Sequence, residues 1–303
     1  MRASVSERVC AIVVTYNRGA VLRACLLALR GQARPPDHVL VVDNASSDGT
    51  RELLRAEFPE ATVLALAANL GGAGGFHHGM KWAYRQGFDW LWIMDDDGRP
   101  APECLARLLE HRRPNSILVP LQQDSAGRRY GFFVWRQRSI NVTEEIVADG
   151  RPVVGDFVFA FVGPLISREV VARVGLPRAD YFIWFDDYEY ALRAGSEGGA
   201  EIVAVPGALF FHDYGGPSKR VRFLWKRSLR SVQPSWKTYY EARNQFYTFT
   251  RLRHNPGELL QYLHYQLRPL LGDLLYEPDR RERLGMRLAG IRDGALGHLG
   301  KRV

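Results

Sequence analysis

The chain reads as an α/β protein on a mostly parallel sheet, and two observations carry that reading. Wholly apolar runs alternate with helical-period segments through the first hundred residues, and strands without polar alternation belong to sheets covered on both faces. Each run also closes on polar or acidic residues at its C-terminal end, where parallel sheets bind ligands. In order, Cys10-Ala11-Ile12-Val13-Val14-Thr15 is the first strand. Residues 18–30 then place Val21, Leu22, Cys25, Leu26 and Leu29 on one helical face. Pro35-Pro36 ends that unit, and residues 38–42 form a second strand closing on Asp43. Asp48-Gly49-Thr50 turns into a helix through Leu53 and Leu54, and residues 62–66 make a third strand. A glycine-rich loop, residues 69–79, leads into a helix through Trp82 and Tyr84, and residues 88–94 are the fourth strand. Beyond it come a helix through Leu105 and Leu108, strands around residues 117–119 and 130–135, and an apolar stretch over 156–166. A loop entering a helix is expected over 181–194, then a strand over 201–205 ending at Pro206-Gly207. Past Tyr214 the alternation stops and the pattern turns aromatic, basic and helical. The expected domains are 1–215 and 216–303.

Composition narrows the class. The 303 residues are 46% hydrophobic, enough for a sizeable core and unlike a disordered chain. Residues 1–8 carry no apolar signal segment, and the strongly apolar stretch 157–166 is too short to cross a bilayer. Cys10, Cys25 and Cys104 are odd in number and lack CxxC spacing, which fits a reducing cytoplasm and not a disulfide or zinc framework. From Lys219 onward 18 Lys/Arg face 7 Asp/Glu, a net +11, whereas the preceding part carries −3. Such a tail suits an anionic surface or substrate. No nucleic-acid-binding motif accompanies it, so nucleic acid is not an expected partner.

The chemistry centres on Asp95-Asp96-Asp97, which end the apolar run 90–94 and precede Gly98 and Pro100. Adjacent carboxylates at a strand end offer hard oxygens to Mg²⁺ or Mn²⁺, and such a cation commonly holds a phosphate as well. A solvated acidic turn is the other reading of the same three residues. Asp43-Asn44 and the turn through Thr50 place a further carboxylate and amide at a strand end.

Val14-Thr15-Tyr16-Asn17-Arg18, Asp43-Asn44 and Asp95-Asp96-Asp97, in that order, resemble a family 2 glycosyltransferase of the GT-A type over roughly residues 8–215. That resemblance implies a nucleotide-diphospho-sugar transferase fold with a helical C-terminal region. It implies that Thr15, Asn17, Arg18 and Asp43 hold the nucleoside, while Asp95, Asp96 and Asp97 hold metal and diphosphate. The segment Asn69-Leu70-Gly71-Gly72-Ala73-Gly74-Gly75-Phe76 is similar to one in bacterial galactofuranosyltransferases, which adds Asn69 and Gly72 to the donor site. Glycines there would let backbone approach a ligand.

Phe182-Ile183-Trp184-Phe185-Asp186-Asp187-Tyr188-Glu189-Tyr190 is a second acidic cluster. A carboxylate among aromatic rings can gain the basicity needed to deprotonate an attacking hydroxyl. The same relatives carry an FIxxDDxEY-like segment whose second aspartate is the general base, which maps to Asp187. Trp184, Asp186 and Glu189 fall in the acceptor's vicinity, Asp186 also being readable as a helix N-cap. The resemblance makes His212 a third metal ligand beside Asp95 and Asp97, although a lone histidine more often has a structural place. Tyr239-Tyr240-Glu241-Ala242-Arg243-Asn244 matches a YYxxRN segment of these enzymes whose role is less defined.

The implied reaction is metal-dependent, inverting transfer of galactofuranose from a UDP donor to a glycan or a polyprenyl-diphosphate-linked glycan. Here Trp184 stands one residue further from the aspartate pair than in galactofuranosyltransferases, which keeps dTDP-rhamnose open as donor. Rivals are a haloacid-dehalogenase-type phosphatase, read from Asp95-Asp96-Asp97-Gly98, and a non-catalytic sugar-nucleotide-binding protein. The expected location is the cytoplasm, with peripheral contact on the membrane's cytoplasmic face. That contact is assigned to a helix over 221–230, with Val221, Leu224, Trp225 and Leu229 on one face and Arg222, Lys226 and Arg230 on another.

Overall fold

The structure, a computed structural model, describes residues 7–134, 140–213, 218–223, 226–252 and 256–302. The chain forms two compact units, Met1–Ala179 with Asp187–Asp213, and Asp180–Asp186 with Tyr214–Val303. The first unit begins β1 (Val9–Thr15), α1 (Gly19–Arg30), β2 (His38–Asp43), α2 (Thr50–Glu57), β3 (Thr62–Ala65), α3 (Gly71–Arg85) and β4 (Trp90–Asp95). It continues through β5 (Arg99–Pro100), α4 (Cys104–Glu110), β6 (Ser116–Gln123), β7 (Arg129–Tyr130), β8 (Phe133–Val134) and β9 (Ile140–Asn141). It ends with α5 (Thr143–Asp149), β10 (Val153–Val154), β11 (Phe157–Val158), β12 (Leu165–Ser167), α6 (Arg168–Val174), α7 (Asp186–Ser196) and β13 (Glu201–Phe211).

The main sheet runs β10-β13-β6-β12-β4-β1-β2-β3. β1 pairs in parallel with β2 and β4, β2 with β3, and β13 with β6; β12 is inserted antiparallel between β4 and β6. Every residue of β1 is buried, as the unbroken apolar run requires of a strand covered on both sides. One core layer gathers Val13, Leu26, Met94 and Leu105, and the three cysteines are buried free thiols. β13 does not stop at Pro206-Gly207: its register with β6 shifts between Val205 and Leu209, so an irregularity absorbs both residues.

The glycine-rich stretch departs from the expectation. It is no loop; the glycines lie inside α3. A Cβ on Gly75 would stand 2.4 Å from Val14 Cγ1, and one on Gly79 2.5 Å from Ile12 Cγ2. These glycines therefore set how closely α3 lies on β1 and β2. Gly72, in the first turn, has nothing within 4 Å of such a Cβ and keeps an open face.

The second unit comprises an antiparallel hairpin, β14 (Ser218–Phe223) and β15 (Lys226–Ser231), followed by α8 (Ser235–Tyr247), α9 (Pro256–Tyr276) and α10 (Arg280–Leu296). Its core holds Phe182, Tyr239 and Tyr240 with Trp236 and Met286 packed against them. Cβ positions at Gly290 and Gly294 would meet Tyr239 O at 2.4 Å and Arg243 O at 2.7 Å, so α10 and α8 touch backbone to backbone. The helix expected over 221–230 is replaced by this hairpin, with Leu224 and Trp225 outside the described residues. Arg230 is not a surface cation of that kind either: it bonds Asp273 at 2.6 Å and Glu277 at 2.7 Å. Among the described residues no helix is long and apolar enough to cross a membrane.

Candidate active site

Strand register brings together the residues expected at the donor site. Thr15 lies opposite Asp43, and Val14 opposite Asp95, so the C-terminal ends of β1, β2 and β4 share one edge. Asp43 is fully buried, held by the Arg51 guanidinium and by the Ser46 N–H at 2.9 Å. Asn17 sits at φ 53°, a left-handed conformation asparagine tolerates. Its Oδ1 accepts the Ser47 N–H at 2.7 Å and its own N–H reaches Ser46 Oγ at 2.9 Å. The loops after β1 and β2 are thereby tied together. Asn44 joins the same edge to α3, accepting the Leu70 N–H and donating to the Gly71 carbonyl, both at 2.8 Å. Asn69 Oδ1 accepts the Gly71 N–H at 2.8 Å.

The three aspartates take three different environments. Asp95 ends β4. Asp96 turns inward to Thr15 Oγ1 at 2.8 Å and Arg18 at 2.7 Å. Burial outweighs those partners and raises its carboxyl to about 6. Asp97 reaches the second Arg18 nitrogen at 3.1 Å and lies 3.3 Å from His212 Nε2. Burial opposes its charge, but His212 and Arg18 beside it prevail and hold the carboxyl down at about 2.

Tyr130 determines what His212 offers. The tyrosine hydroxyl donates to the His212 carbonyl and lies 3.1 Å from His212 Nδ1. Its single proton is thus committed, Nδ1–H donates to the phenolic oxygen, and Nε2 is left to face Asp97. Asp97 Oδ1, the oxygen 3.3 Å from His212 Nε2, is buried and makes no regular hydrogen bond among the described residues. A carboxylate oxygen and an imidazole nitrogen converging in this way fit a divalent cation. Among the described residues no preformed group of three potential ligands converges.

The second acidic cluster is prepared by unusual backbone. Phe182, Trp184 and Phe185 have φ of 66°, 69° and 68°, a region bulky residues occupy only when surrounding structure forces them to. The YYxxRN segment supplies that force. Asn244 Nδ2 donates to the carbonyls of Tyr181, Ile183 and Trp184 at 3.1, 2.9 and 2.7 Å. Arg243 adds bonds to the Tyr181 and Asp180 carbonyls at 2.9 and 3.3 Å and fixes Asn244 Oδ1 through its Nε at 2.9 Å. Both side chains are fully buried in the second unit.

Asp186 and Asp187 follow at once as the first residues of α7. Asp187 retains some solvent access, yet protein crowds it enough that burial raises its carboxyl to about 6. Asp186 is buried, and Trp184 is 38% exposed. Glu189 is engaged elsewhere, in a two-point ion pair with Arg193 at 2.7 and 2.9 Å. Tyr130, Arg51, Ser46 and Ser47 escaped the sequence reading. Tyr130 carried no signal, since only the β6–β7 pairing brings it beside His212.

The family model for Glycosyl transferase family 2 matches residues 10–164. Galactofuranosyltransferase GlfT1 of Mycolicibacterium smegmatis is 33% identical over 93% of this chain and 97% of its own length. Galactofuranosyltransferase GlfT1 of Mycobacterium tuberculosis is 29% identical over 81% of this chain and 83% of its own. Among solved structures, the mannosyltransferase PcManGT of Pyrobaculum calidifontis, in complex with GDP-Man and Mn²⁺, superposes with a TM-score of 0.56 at 18% identity, covering 97% of this chain and 76% of that one. The fold is accordingly the GT-A fold, and the chain is a glycosyltransferase that belongs to glycosyl transferase family 2.

Proposed function

We propose that the enzyme transfers galactofuranose from UDP-galactofuranose, with inversion, to a hydroxyl of a glycan acceptor, including one carried on polyprenyl diphosphate. The galactofuranosyltransferase relatives support the sugar, and the Asp97–His212 pair steadied by Tyr130 is the observation that carries the chemistry. Asp97 and His212, with Asp95 at the neighbouring strand end, would hold Mn²⁺ or Mg²⁺. When bound, that cation supplies positive charge to the diphosphate as it departs. Arg18, bonded to Asp96 and Asp97 and half exposed, is placed to add a second positive charge at the same edge.

In the transfer step the acceptor oxygen forms a bond to the anomeric carbon from the face opposite the leaving group. The bond from that carbon to the β-phosphate oxygen breaks, and its electron pair leaves with UDP. Asp187 takes the acceptor hydroxyl's proton, its raised basicity suiting it to a proton acceptor near neutral pH. Asn17, Asp43 and the open Gly72 are assigned to donor binding, and Trp184 to the acceptor sugar.

The test is UDP release from UDP-galactofuranose with Mn²⁺ and an oligosaccharide acceptor, beside phosphate release from a generic phosphatase substrate. UDP release abolished by EDTA is expected, with Mn²⁺ binding weakened in Asp97→Ala and His212→Ala. Full turnover in chelator would overturn the metal assignment. Phosphate release alone would favour the phosphatase reading, and neither product a non-catalytic one.

A further inference from the structure

α9 carries a feature that the transfer reaction does not use. Leu260, Leu263, Leu267, Leu271, Leu274 and Leu275 are between 39% and 69% exposed. Their spacing along this 21-residue helix, mostly three or four residues, puts them on one side, a stripe roughly 22 Å long. Tyr262, Gln266 and Asp273 are buried on the other side. Scattered exposed leucines mean little, but six gathered on one helix face mark a contact surface.

Charge decides between the two occupants such a face could take. The region from Lys219 onward has net charge +11. Its acids largely turn inward: Asp273 is consumed by Arg230 and Arg287, Glu277 by Lys219 and Arg230, and Asp293 by Arg302 and Arg292. Arg268, Arg280, Arg281 and Arg292 meanwhile stand exposed, with Glu282 as an exposed acid beside them. A second copy of the chain would bring the same excess of positive charge against itself. An anionic bilayer instead presents an apolar interior beneath negative headgroups, matching both features at once.

We infer that α9 lies in the interface of an anionic lipid bilayer, its leucine face among the acyl chains and the exposed arginines of this region at the headgroups. This goes beyond the transfer reaction and stands or falls without any assignment of donor, metal or base.

The experiment is flotation of the whole protein with vesicles of phosphatidylcholine containing phosphatidylglycerol, against phosphatidylcholine alone, at low salt. Flotation with the anionic vesicles is expected, reduced in high salt as headgroup attraction is screened. The variant Leu263→Gln/Leu267→Gln/Leu271→Gln keeps helix-forming residues at exposed positions and should lower vesicle binding by roughly tenfold or more, with unchanged circular dichroism. A single exposed leucine, Leu267→Gln, should give a partial loss and guards against misfolding of the triple variant. No flotation at low salt, or full flotation of the triple variant, overturns the inference. Absence of flotation together with a dimer that the triple variant dissolves would assign the face to a second copy.

Discussion

Burial acts on Asp187 in two opposed ways: it makes the carboxylate a stronger base and makes the ionised state harder to hold in the folded protein. Burial lifts the folded carboxyl to about 6, above the ordinary aspartate value, so the folded state keeps a proton that the unfolded chain releases. The stability this group contributes is present below about pH 4 and is lost as pH rises through 6. Catalysis runs the other way, because only the anion accepts a proton. Turnover should therefore rise with pH along a limb centred near 6, and Asp187→Asn should lose both the limb and about 10²- to 10⁴-fold of rate. At pH 8 the same variant should melt no lower than the parent, since it removes a poorly solvated charge. A variant with normal turnover, or with an unchanged acid limb, would move the role to another group, Asp186→Asn being the first to examine.

At the scale of elements, two side chains of α8 maintain a backbone that bulky residues resist. Asn244→Ala would leave the carbonyls of Tyr181, Ile183 and Trp184 without their shared donor and allow residues 182–185 to relax from their left-handed conformations. Because Asp186 and Asp187 are the next residues, the expected result is a fall of roughly tenfold to a hundredfold in kcat with donor KM little changed. A purely structural asparagine would lower the melting temperature without that split between kcat and KM. The role of this pair was invisible in the YYxxRN string, for its partners lie some sixty residues away. β1, β2 and β4 were legible because a buried parallel strand leaves an unbroken apolar run in the sequence. The glycines of α3 were misread because a ligand-cradling loop and a helix lying close on a sheet ask for the same missing Cβ. The helix expected over 221–230 was misread because its apolar and basic residues satisfy two helical faces by coincidence. Cross-strand pairing and the buried acids Asp273 and Glu277 decide the outcome instead.

Across the whole molecule, ligand preference can be read without turnover, because a ligand that binds only the folded chain stabilises it by mass action. The loops after β1 and β2 are held together by Asn17, Ser46 and Ser47, and α3 is tied to the same edge through Asn44. A nucleotide bound there would draw on contacts already made, so its binding energy should appear almost undiminished as thermal stabilisation. At a hundredfold excess over its dissociation constant a ligand adds about 2.7 kcal/mol, enough for a shift of several degrees. With Mn²⁺ present, UDP should raise the melting temperature more than dTDP at equal concentration, and UDP-galactofuranose should do at least as well as UDP. The sequence left this choice open, because Trp184 stands one residue away from its place in galactofuranosyltransferases. A larger shift with dTDP would reassign the donor to dTDP-rhamnose while leaving the metal pair and Asp187 untouched. Equal shifts with and without Mn²⁺ would count against Asp97 and His212 as a site that shares its cation with the diphosphate.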